Sequence, residues 1–326
     1  RQYLICDEAA ELEDQLVKEF SCTVDFEMLS KMDILVRPFY TKNNTNVIKW
    51  INTLLLDLSD RIEELRDTIN NSNTNNKKFL IETRRRVVSL RNLHSKLTLI
   101  TETWSESEYL FETSKDGITF MPLKVNKLSN HLFKYADKII LMSATIIDPS
   151  NFCKSLGIDK FKYVEAESSF NASDSPIYCN TKVKLNYHNI ARNLPKVIDQ
   201  IKQICKAHSQ DKGIIHTHNN NITNQLATAV KESRFLIREP GVRNELLLEQ
   251  HAESPDPTVL ISPSMSHGVD LKDDLARFQI IVKAPFLPIR DTRIEKLMKN
   301  NYDWYVNKML CALIQSCGRG VRSKKD

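Results

Sequence analysis

Apolar residues recur at alternating spacings of three and four along two long stretches in the first third of the chain. The first stretch covers residues 47–69 and the second residues 80–100, and the polar run 70–76 separates them. Such spacing is typical of helices that pack along a common seam. The pattern therefore predicts two long helices that form an antiparallel hairpin. Three consecutive arginines, residues 84–86, lie on the second helix, where they are either a solvated face or a contact for nucleic acid.

Shorter apolar runs predict strands. Residues 3–6 and 138–142 have the composition of buried strands, and polar residues follow each of them directly. Residues 109–111 and 118–120 flank a Lys-Asp-Gly turn and predict a β-hairpin. Asp148 and Pro149 then supply an N-cap and a first-turn proline for a helix that ends near residue 157.

The second half of the chain alternates between helix and strand patterns. Helices are predicted over residues 190–207, 222–232, 243–251 and 293–322, and strands over residues 213–217, 235–238, 258–262 and 277–283. This alternation favours an α/β fold with a parallel sheet. Residues that bind ligands are then expected at the carboxyl ends of the strands.

Composition narrows the class of protein. The 326 residues, 41% apolar and 27% charged, suit one large or two medium globular domains. No stretch of about 18 apolar residues occurs, so no membrane span is predicted. The first residues do not have the pattern of a signal peptide. The net charge of +5 is compatible with a nucleic-acid partner. Seven cysteines, an odd number without a C-x-x-C pair, argue against a disulfide framework and favour a reducing compartment.

Glycine is scarce. Only seven glycines occur, and neither G-x-x-x-x-G-K-[ST] nor G-x-G-x-x-G is present. The sequence therefore contains no loop of the usual kind for cradling nucleotide phosphates. It also starts without methionine inside a predicted strand, and we expect it to be part of a longer chain.

Two acidic residues, Asp7 and Glu8, directly follow the first predicted strand. In phosphoryl transfer, an aspartate at such a position holds Mg²⁺, and a neighbouring carboxylate orients or deprotonates the attacking water. The structural alternative is a pair of solvated carboxylates that favour the dipole of the helix they precede.

Near the C-terminus, Gln315 begins the run Q-S-C-G-R-G-V-R. Arg319 and Arg322 are three residues apart, which places both guanidinium groups on one helix face, where they can clamp a γ-phosphate. A plain basic helix end is the weaker interpretation, because Gly318 and Gly320 would each cost a helix interior about 1 kcal/mol.

Two further segments follow predicted strands. The run from His267 through Gly268 to Asp270 offers a close backbone approach and a carboxylate for a ribose, an arginine or a water. Ser143 and Thr145 offer two small hydroxyls. Alone, each segment is a weak signal.

The order of these segments resembles that of the superfamily-two helicases, most closely the XPD/DinG group of DNA helicases. The matching segments are residues 7–10 (motif II), 141–145 (motif III), 213–218 (motif IV), 267–270 (motif V), 283–286 (the L-P-F run) and 315–322 (motif VI). The last fits Q-x-x-G-R-x-x-R at every defined position.

The resemblance implies an α/β fold of two RecA-like parallel-sheet lobes, the first incomplete, with the helical hairpin inserted as an arch domain. Residues 1–40 and 108–147 would then belong to the first lobe, residues 41–107 to the arch and residues 148–326 to the second lobe.

The resemblance also implies roles. Asp7 would bind Mg²⁺ through water, Glu8 would activate the attacking water, and Arg319 and Arg322 would act as arginine fingers on ATP. Nucleotide-binding positions would be Gln315, Gly268, Asp270 and Gly318, and positions that couple the nucleotide to the DNA strand would be Ser143, Thr145, Thr217 and His267.

Three departures from the family pattern matter. Ala10 replaces the histidine of motif II, and His267 replaces a glutamate in motif V. Motif I is absent, and the iron–sulfur cysteines of many members would lie with it upstream of residue 1. We therefore expect the chain alone not to hydrolyse ATP.

The leading hypothesis is a cytoplasmic or nuclear, monomeric ATP-dependent helicase. It would translocate 5′ to 3′ on single-stranded DNA and unwind tailed duplexes. The alternatives are a DNA-stimulated ATPase that does not unwind and a degenerate module that only binds nucleic acid.

Overall fold

The computed structural model describes residues 2–36, 44–71, 76–105, 108–167, 176–180, 183–237, 244–263, 271 and 273–318. The strands are β1 (Tyr3–Cys6), β2 (Cys22–Asp25), β3 (Tyr109–Thr113), β4 (Gly117–Pro122), β5 (Lys138–Leu141), β6 (Gly213–His216), β7 (Phe235–Ile237), β8 (Val259–Ser262) and β9 (Phe278–Ile281). The helices are α1 (Leu12–Phe20), α2 (Phe26–Ser30), α3 (Asn44–Asn71), α4 (Lys77–Thr103), α5 (Asn130–Phe133), α6 (Pro149–Ser155), α7 (Ile190–Ala207), α8 (Asn220–Ala229), α9 (Asn244–Glu253), α10 (Thr292–Asn300) and α11 (Tyr302–Cys317).

The chain divides into two compact units. The first unit comprises Arg1–Ser143 and Asp148–Lys162, and the second comprises Ala144–Ile147 and Tyr163–Asp326. The segment Ala144–Ile147 thus belongs to the second unit, although the chain on both sides of it belongs to the first.

In the first unit, β1 and β5 pair in parallel. Both predicted strands are confirmed, but the prediction that they are buried is wrong. Tyr3 and Ile5 are 54% and 60% exposed, and Ile140 is 42% exposed. The reason is that the described part of this sheet has two strands, which leave much of their apolar surface uncovered.

The predicted helical hairpin is confirmed as α3 and α4. One seam joins them, formed by Val47, Ile51, Leu54, Leu58, Ile62 and Leu65 of α3 and by Val87, Leu90, Leu93, Leu97 and Ile100 of α4. The side chain of Asn76 caps α4 by accepting a hydrogen bond from the Phe79 N–H at 3.2 Å.

A small antiparallel sheet in the order β2-β4-β3 packs on this hairpin. The predicted β3–β4 hairpin is confirmed, whereas β2 and the short α2 were not predicted. At Gly117 a Cβ atom would lie 2.3 Å from the carbonyl oxygen of Val24, so the strand pairing requires glycine. Ile118 and Phe120 belong to the same core as the two long helices. The hairpin therefore shares one core with residues on both sides of it along the chain.

The helix predicted after Asp148 is confirmed as α6. The Asp148 carboxylate accepts a hydrogen bond from the Asn151 N–H at 2.9 Å, and Pro149 occupies the first turn. Gly157 follows the helix in the left-handed region, with φ at 67°.

The second unit contains a four-stranded parallel sheet in the order β7-β8-β6-β9. The predicted α/β class with parallel sheets is thus confirmed. Its two central strands, β8 and β6, are fully buried, as continuous apolar runs in a parallel sheet require. The core between sheet and helices contains Leu194, Ile198, Ile201, Ile215, Ile222, Leu226, Val259 and Ile261.

The helical material predicted over residues 293–322 is two helices, α10 and α11. Asn301 separates them, and its side chain caps α11 by accepting from the Trp304 N–H at 3.1 Å. An asparagine that satisfies a backbone donor of the next helix favours a new start over continuation. The residues beyond Gly318 lie outside the described part of the chain.

Within the described residues, the helices are all too short or too polar to span a membrane.

Candidate functional site

Asp7 and Glu8 form a tight turn at the carboxyl end of β1. The Asp7 Oδ1 accepts a hydrogen bond from the Glu8 N–H at 2.9 Å. Glu8 has a φ of 50°, in the left-handed region that non-glycine residues seldom adopt. Both side chains are exposed. Non-glycine residues held in this backbone region are found often at functional sites.

Hydrogen bonds fix this turn to the end of β5. The Met142 N–H donates to the Cys6 carbonyl at 2.9 Å, and the Ala9 N–H donates to the Met142 carbonyl at 2.8 Å. These bonds extend the parallel ladder past both strands. They bring the turn and Ser143, the predicted coupling residue, to one sheet edge within the first unit.

The residues at this edge fit a magnesium ion held mainly by water and phosphate. Mg²⁺ commonly takes one or two carboxylates from a protein and fills its other positions with water and substrate oxygens. Asp7 offers such an exposed carboxylate. Among the described residues no group of three or more histidine, cysteine or acidic side chains is assembled.

In the second unit, Thr145 contacts helix α11. The Gln315 Nε2 donates to the Thr145 Oγ1 at 3.3 Å, and the Cys311 thiol donates to the Thr145 carbonyl at 3.0 Å. Thr145 is buried. Burial raises the pKa of the Cys311 thiol, which keeps its proton available for this bond. A predicted coupling residue and a predicted nucleotide residue thus meet within one unit.

Thr217 lies directly after β6 and is fully buried. Its N–H donates to the Ser262 carbonyl at 3.0 Å, and its hydroxyl lies 2.6 Å from the Thr223 hydroxyl. Because the Thr223 hydroxyl donates to the Asn219 carbonyl, Thr217 is the donor of the pair. Thr217 therefore braces the turn between β6 and α8.

The end of α11 is anchored to the sheet. Gly318 occupies the C-cap, and the Gln279 Nε2 donates to the Cys317 carbonyl at 3.3 Å. Among the described residues, a Cβ at Gly318 would meet no atom within 4 Å, so their packing does not require glycine there. Sequence reasoning missed Gln279, although a glutamine inside the apolar run of β9 is a visible signal.

Five of the predicted site residues lie outside the described residues: His267, Gly268, Asp270, Arg319 and Arg322. Their roles stay predictions.

Exposed aromatic side chains follow β9 in the second unit. Phe286 stacks on Tyr305 with ring centroids 5.2 Å apart, and Tyr302 lies 6.2 Å from Tyr305. Tyr305 is buried and donates its hydroxyl to the Leu287 carbonyl, whereas Phe286 and Tyr302 are exposed. Sequence reasoning noted Phe286 as part of a motif and missed Tyr302. Exposed rings on a rigid base suit stacking with nucleobases.

Comparison with known proteins gives a family match for the C-terminal part of the chain. Residues 201–326 match the family of helicase C-terminal domains. No curated protein matches the chain by sequence.

Solved structures extend the likeness to nearly the whole chain. An XPD helicase has a TM-score of 0.57 at 15% identity. The match covers 97% of this chain and 61% of the XPD chain. S. tokodaii Xpd4 has a TM-score of 0.55 at 16% identity, and the match covers 99% of this chain and 69% of that structure. An apo XPD structure has a TM-score of 0.56 at 16% identity, and the match covers 97% of this chain and 69% of that structure. The chain thus spans 61–69% of the length of these structures. The resemblance to the XPD/DinG group is confirmed in fold, and the match to the helicase C-terminal domain family is limited to residues 201–326.

Proposed function

We propose that this chain is part of an ATP-driven DNA helicase of the XPD/DinG type, acting in the cytoplasm or nucleus as a monomer. One observation supports the proposal most directly. Each unit has a motif residue directly after a parallel strand, Asp7 after β1 and Thr217 after β6, and Ser143 lies two residues past the end of β5. Ligands of open α/β sheets bind at these ends.

At the first edge, Asp7 would hold Mg²⁺ through water, and Glu8 would orient and deprotonate the water that attacks the γ-phosphate. The ion supplies charge neutralisation of the phosphates when bound. The exposed, strained turn supports this assignment, because both carboxylates are already directed outwards.

In the second unit, the Thr145–Gln315 hydrogen bond would fix the start of the segment that carries Arg319 and Arg322. The two arginines would act as arginine fingers on the γ-phosphate. Gly268, Asp270 and Gly318 would line the nucleotide site, and His267 would take part in coupling to DNA.

The partner would be single-stranded DNA or a tailed duplex, with movement from 5′ to 3′. Phe286 and Tyr302 would stack on bases of the bound strand. The assignment of residues 41–107 as an arch, of residues 1–40 and 108–147 as first-lobe parts and of residues 148–326 as the second lobe stays a proposal.

The test is strand displacement on duplexes with a 5′ or a 3′ tail. Because the sequence contains no phosphate loop, we expect the 326-residue chain alone to show no ATP turnover. A longer form that supplies such a loop should hydrolyse ATP and displace strands from 5′-tailed duplexes only. Turnover by the chain alone above that of an Arg319→Ala variant, or displacement on 3′ tails only, would contradict the proposal.

A second candidate is a DNA-stimulated ATPase or translocase without unwinding. Ala10 favours it, because the histidine that usually ends motif II is missing. ATP hydrolysis stimulated by single-stranded DNA without strand displacement on either duplex would select this candidate. DNA binding without hydrolysis by a form that carries a phosphate loop would indicate a non-catalytic module.

A further inference from the structure

The two long helices of the hairpin differ in charge. α4 carries seven lysines and arginines and two acidic residues, whereas α3 carries three basic and five acidic residues. The arginines at 84, 85 and 86 have no acidic side chain within 4 Å among the described residues. The positive charge of α4 is therefore not neutralised within the described hairpin.

Apolar side chains are interleaved with these charges on the side of α4 that faces away from α3. We define the α4 outer face by Ile81, Arg84, Arg85, Val88 and Asn92. Ile81 and Val88 are 50% and 54% exposed, and they line a shallow depression of about 460 Å³ together with the two arginines. Aliphatic groups on a solvated helix face are normally scattered singly, so two that share a depression call for an explanation.

The residues of this face lie on one side of α4. Ile81, Arg84, Arg85 and Val88 stand at i, i+3, i+4 and i+7, so that they lie on one side of the helix over two turns. Amphipathic helices bind such surfaces through anchors at the same spacing. The arginines that lie between the aliphatic anchors would face the flanks of a bound helix.

We propose that the α4 outer face binds an acidic amphipathic helix of a partner protein. Charge selects the acidic flanks of that helix, since two unpaired guanidinium groups lie between the aliphatic positions. Ile81 and Val88 favour a protein over a nucleic acid. Bases stack on aromatic or guanidinium planes, and branched aliphatic side chains offer them no such plane. The aliphatic pair instead gains by burial against another apolar surface.

The experiment measures binding of a fluorescent synthetic helix to the 326-residue chain by anisotropy at two salt concentrations. The peptide carries leucines at i, i+3/i+4 and i+7 with flanking glutamates. A scrambled peptide of the same composition and a single-stranded oligonucleotide serve as competing probes. The variants are Ile81→Ser/Val88→Ser and Arg84→Gln/Arg85→Gln. The matched control on α3 is Leu56→Ser/Arg66→Gln, because these residues are also exposed.

We expect each α4 variant to weaken binding of the amphipathic peptide at least tenfold and the α3 control to change it less than twofold. The scrambled peptide should bind at least tenfold more weakly than the amphipathic one. All variants should keep the helical circular dichroism of the parent chain, since every substituted side chain is solvent-exposed.

Two results would overturn the proposal. Equal binding of the scrambled and amphipathic peptides would show attraction by charge alone. Loss of binding in the arginine variant but not in the aliphatic variant, with tighter binding of the oligonucleotide than of the peptide, would show a nucleic-acid surface instead.

Discussion

The sheet edge of the first unit and the sheet edge of the second unit are built in opposite ways. After β1, Asp7 and Glu8 are exposed, and Glu8 holds a left-handed backbone. After β6, Thr217 is fully buried, and its hydroxyl and N–H are both used in internal hydrogen bonds. Both edges follow a parallel strand. The first edge directs its polar groups into solvent, whereas the second edge uses them in internal hydrogen bonds.

Because of this difference, we expect the first edge to take part in the reaction and the second edge to stabilise the fold. An exposed carboxylate can bind a metal or a water without first breaking an internal bond, whereas a buried hydroxyl in a hydrogen-bonded pair cannot. Changes at the first edge should therefore affect turnover and spare stability. Changes at the second edge should affect stability first.

The largest expected effect is at the first edge. In a form of the protein that hydrolyses ATP, Glu8→Gln should lower kcat by about 10²–10⁴-fold, because the amide cannot accept the proton of the attacking water. Steady-state ATP hydrolysis measures kcat, and thermal unfolding measures whether the stability is unchanged. Glu19→Gln, an exposed acid on α1, is the matched control and should change neither. A lowered melting temperature for Glu8→Gln at unchanged kcat would make the turn a structural feature.

The next effect is at the second edge. Thr217→Val keeps the branched shape but removes the donor to Thr223, and it should lower the free energy of unfolding by about 1–2 kcal/mol. Chemical denaturation measures this change. The control is another threonine pair, Thr23 and Thr119, whose hydroxyls lie 3.0 Å apart on exposed strand positions. Thr23→Val should cost less than about 0.5 kcal/mol. If Thr217→Val and Thr23→Val lowered the free energy of unfolding equally, burial would not be what determines the effect.

Sequence periodicity predicted the regions whose folding is local. The helical hairpin follows from spacings within α3 and α4 themselves, and the β3–β4 hairpin follows from one turn. The exposure of Tyr3 and Ile5 did not follow from their own sequence, because burial of a strand depends on which neighbours cover it. The composition of a strand shows that it is apolar, but it does not show which elements cover it.

The candidate site was predictable as a set of residues and not as a set of contacts. Thr145 and Gln315 were each selected from motifs, but 170 positions separate them along the chain. No local pattern pairs such residues. Likewise, Thr217 was selected through the resemblance of residues 213–218 to motif IV, while its burial depends on Thr223 and Ser262, which carried no signal.

A smaller effect depends on pH. His251 is buried, its Nε2 donates to the Leu275 carbonyl at 2.8 Å and its Nδ1 accepts from the Thr258 hydroxyl at 2.8 Å. Burial lowers the pKa of His251, and the nearby Lys212 ammonium lowers it further, against the opposing bond to Leu275. The unfolded chain therefore binds a proton near pH 6.5 that the folded chain does not. Stability should fall as the pH drops below about 6.5, by at most about 1.4 kcal/mol per pH unit from this group.

Chemical denaturation between pH 8 and pH 5 checks this dependence. His251→Gln removes the titrating group and should flatten the curve over this range, although it lowers stability at pH 8. An unchanged slope in His251→Gln would assign the pH dependence to other groups.

The smallest expected effect concerns Ala144–Ile147, which packs in the second unit although Ser143 belongs to the first. Thr145→Val and Gln315→Leu each remove the 3.3 Å hydrogen bond, so their destabilisations should be non-additive, with a coupling energy of about 0.5–1.5 kcal/mol. A double-mutant cycle by chemical denaturation measures this energy.

Thr145→Val with Gln225→Leu, an exposed glutamine on α8, is the control and should be additive within about 0.5 kcal/mol. Additivity of the Thr145 and Gln315 changes would mean that the bond does not hold the motif III segment to α11.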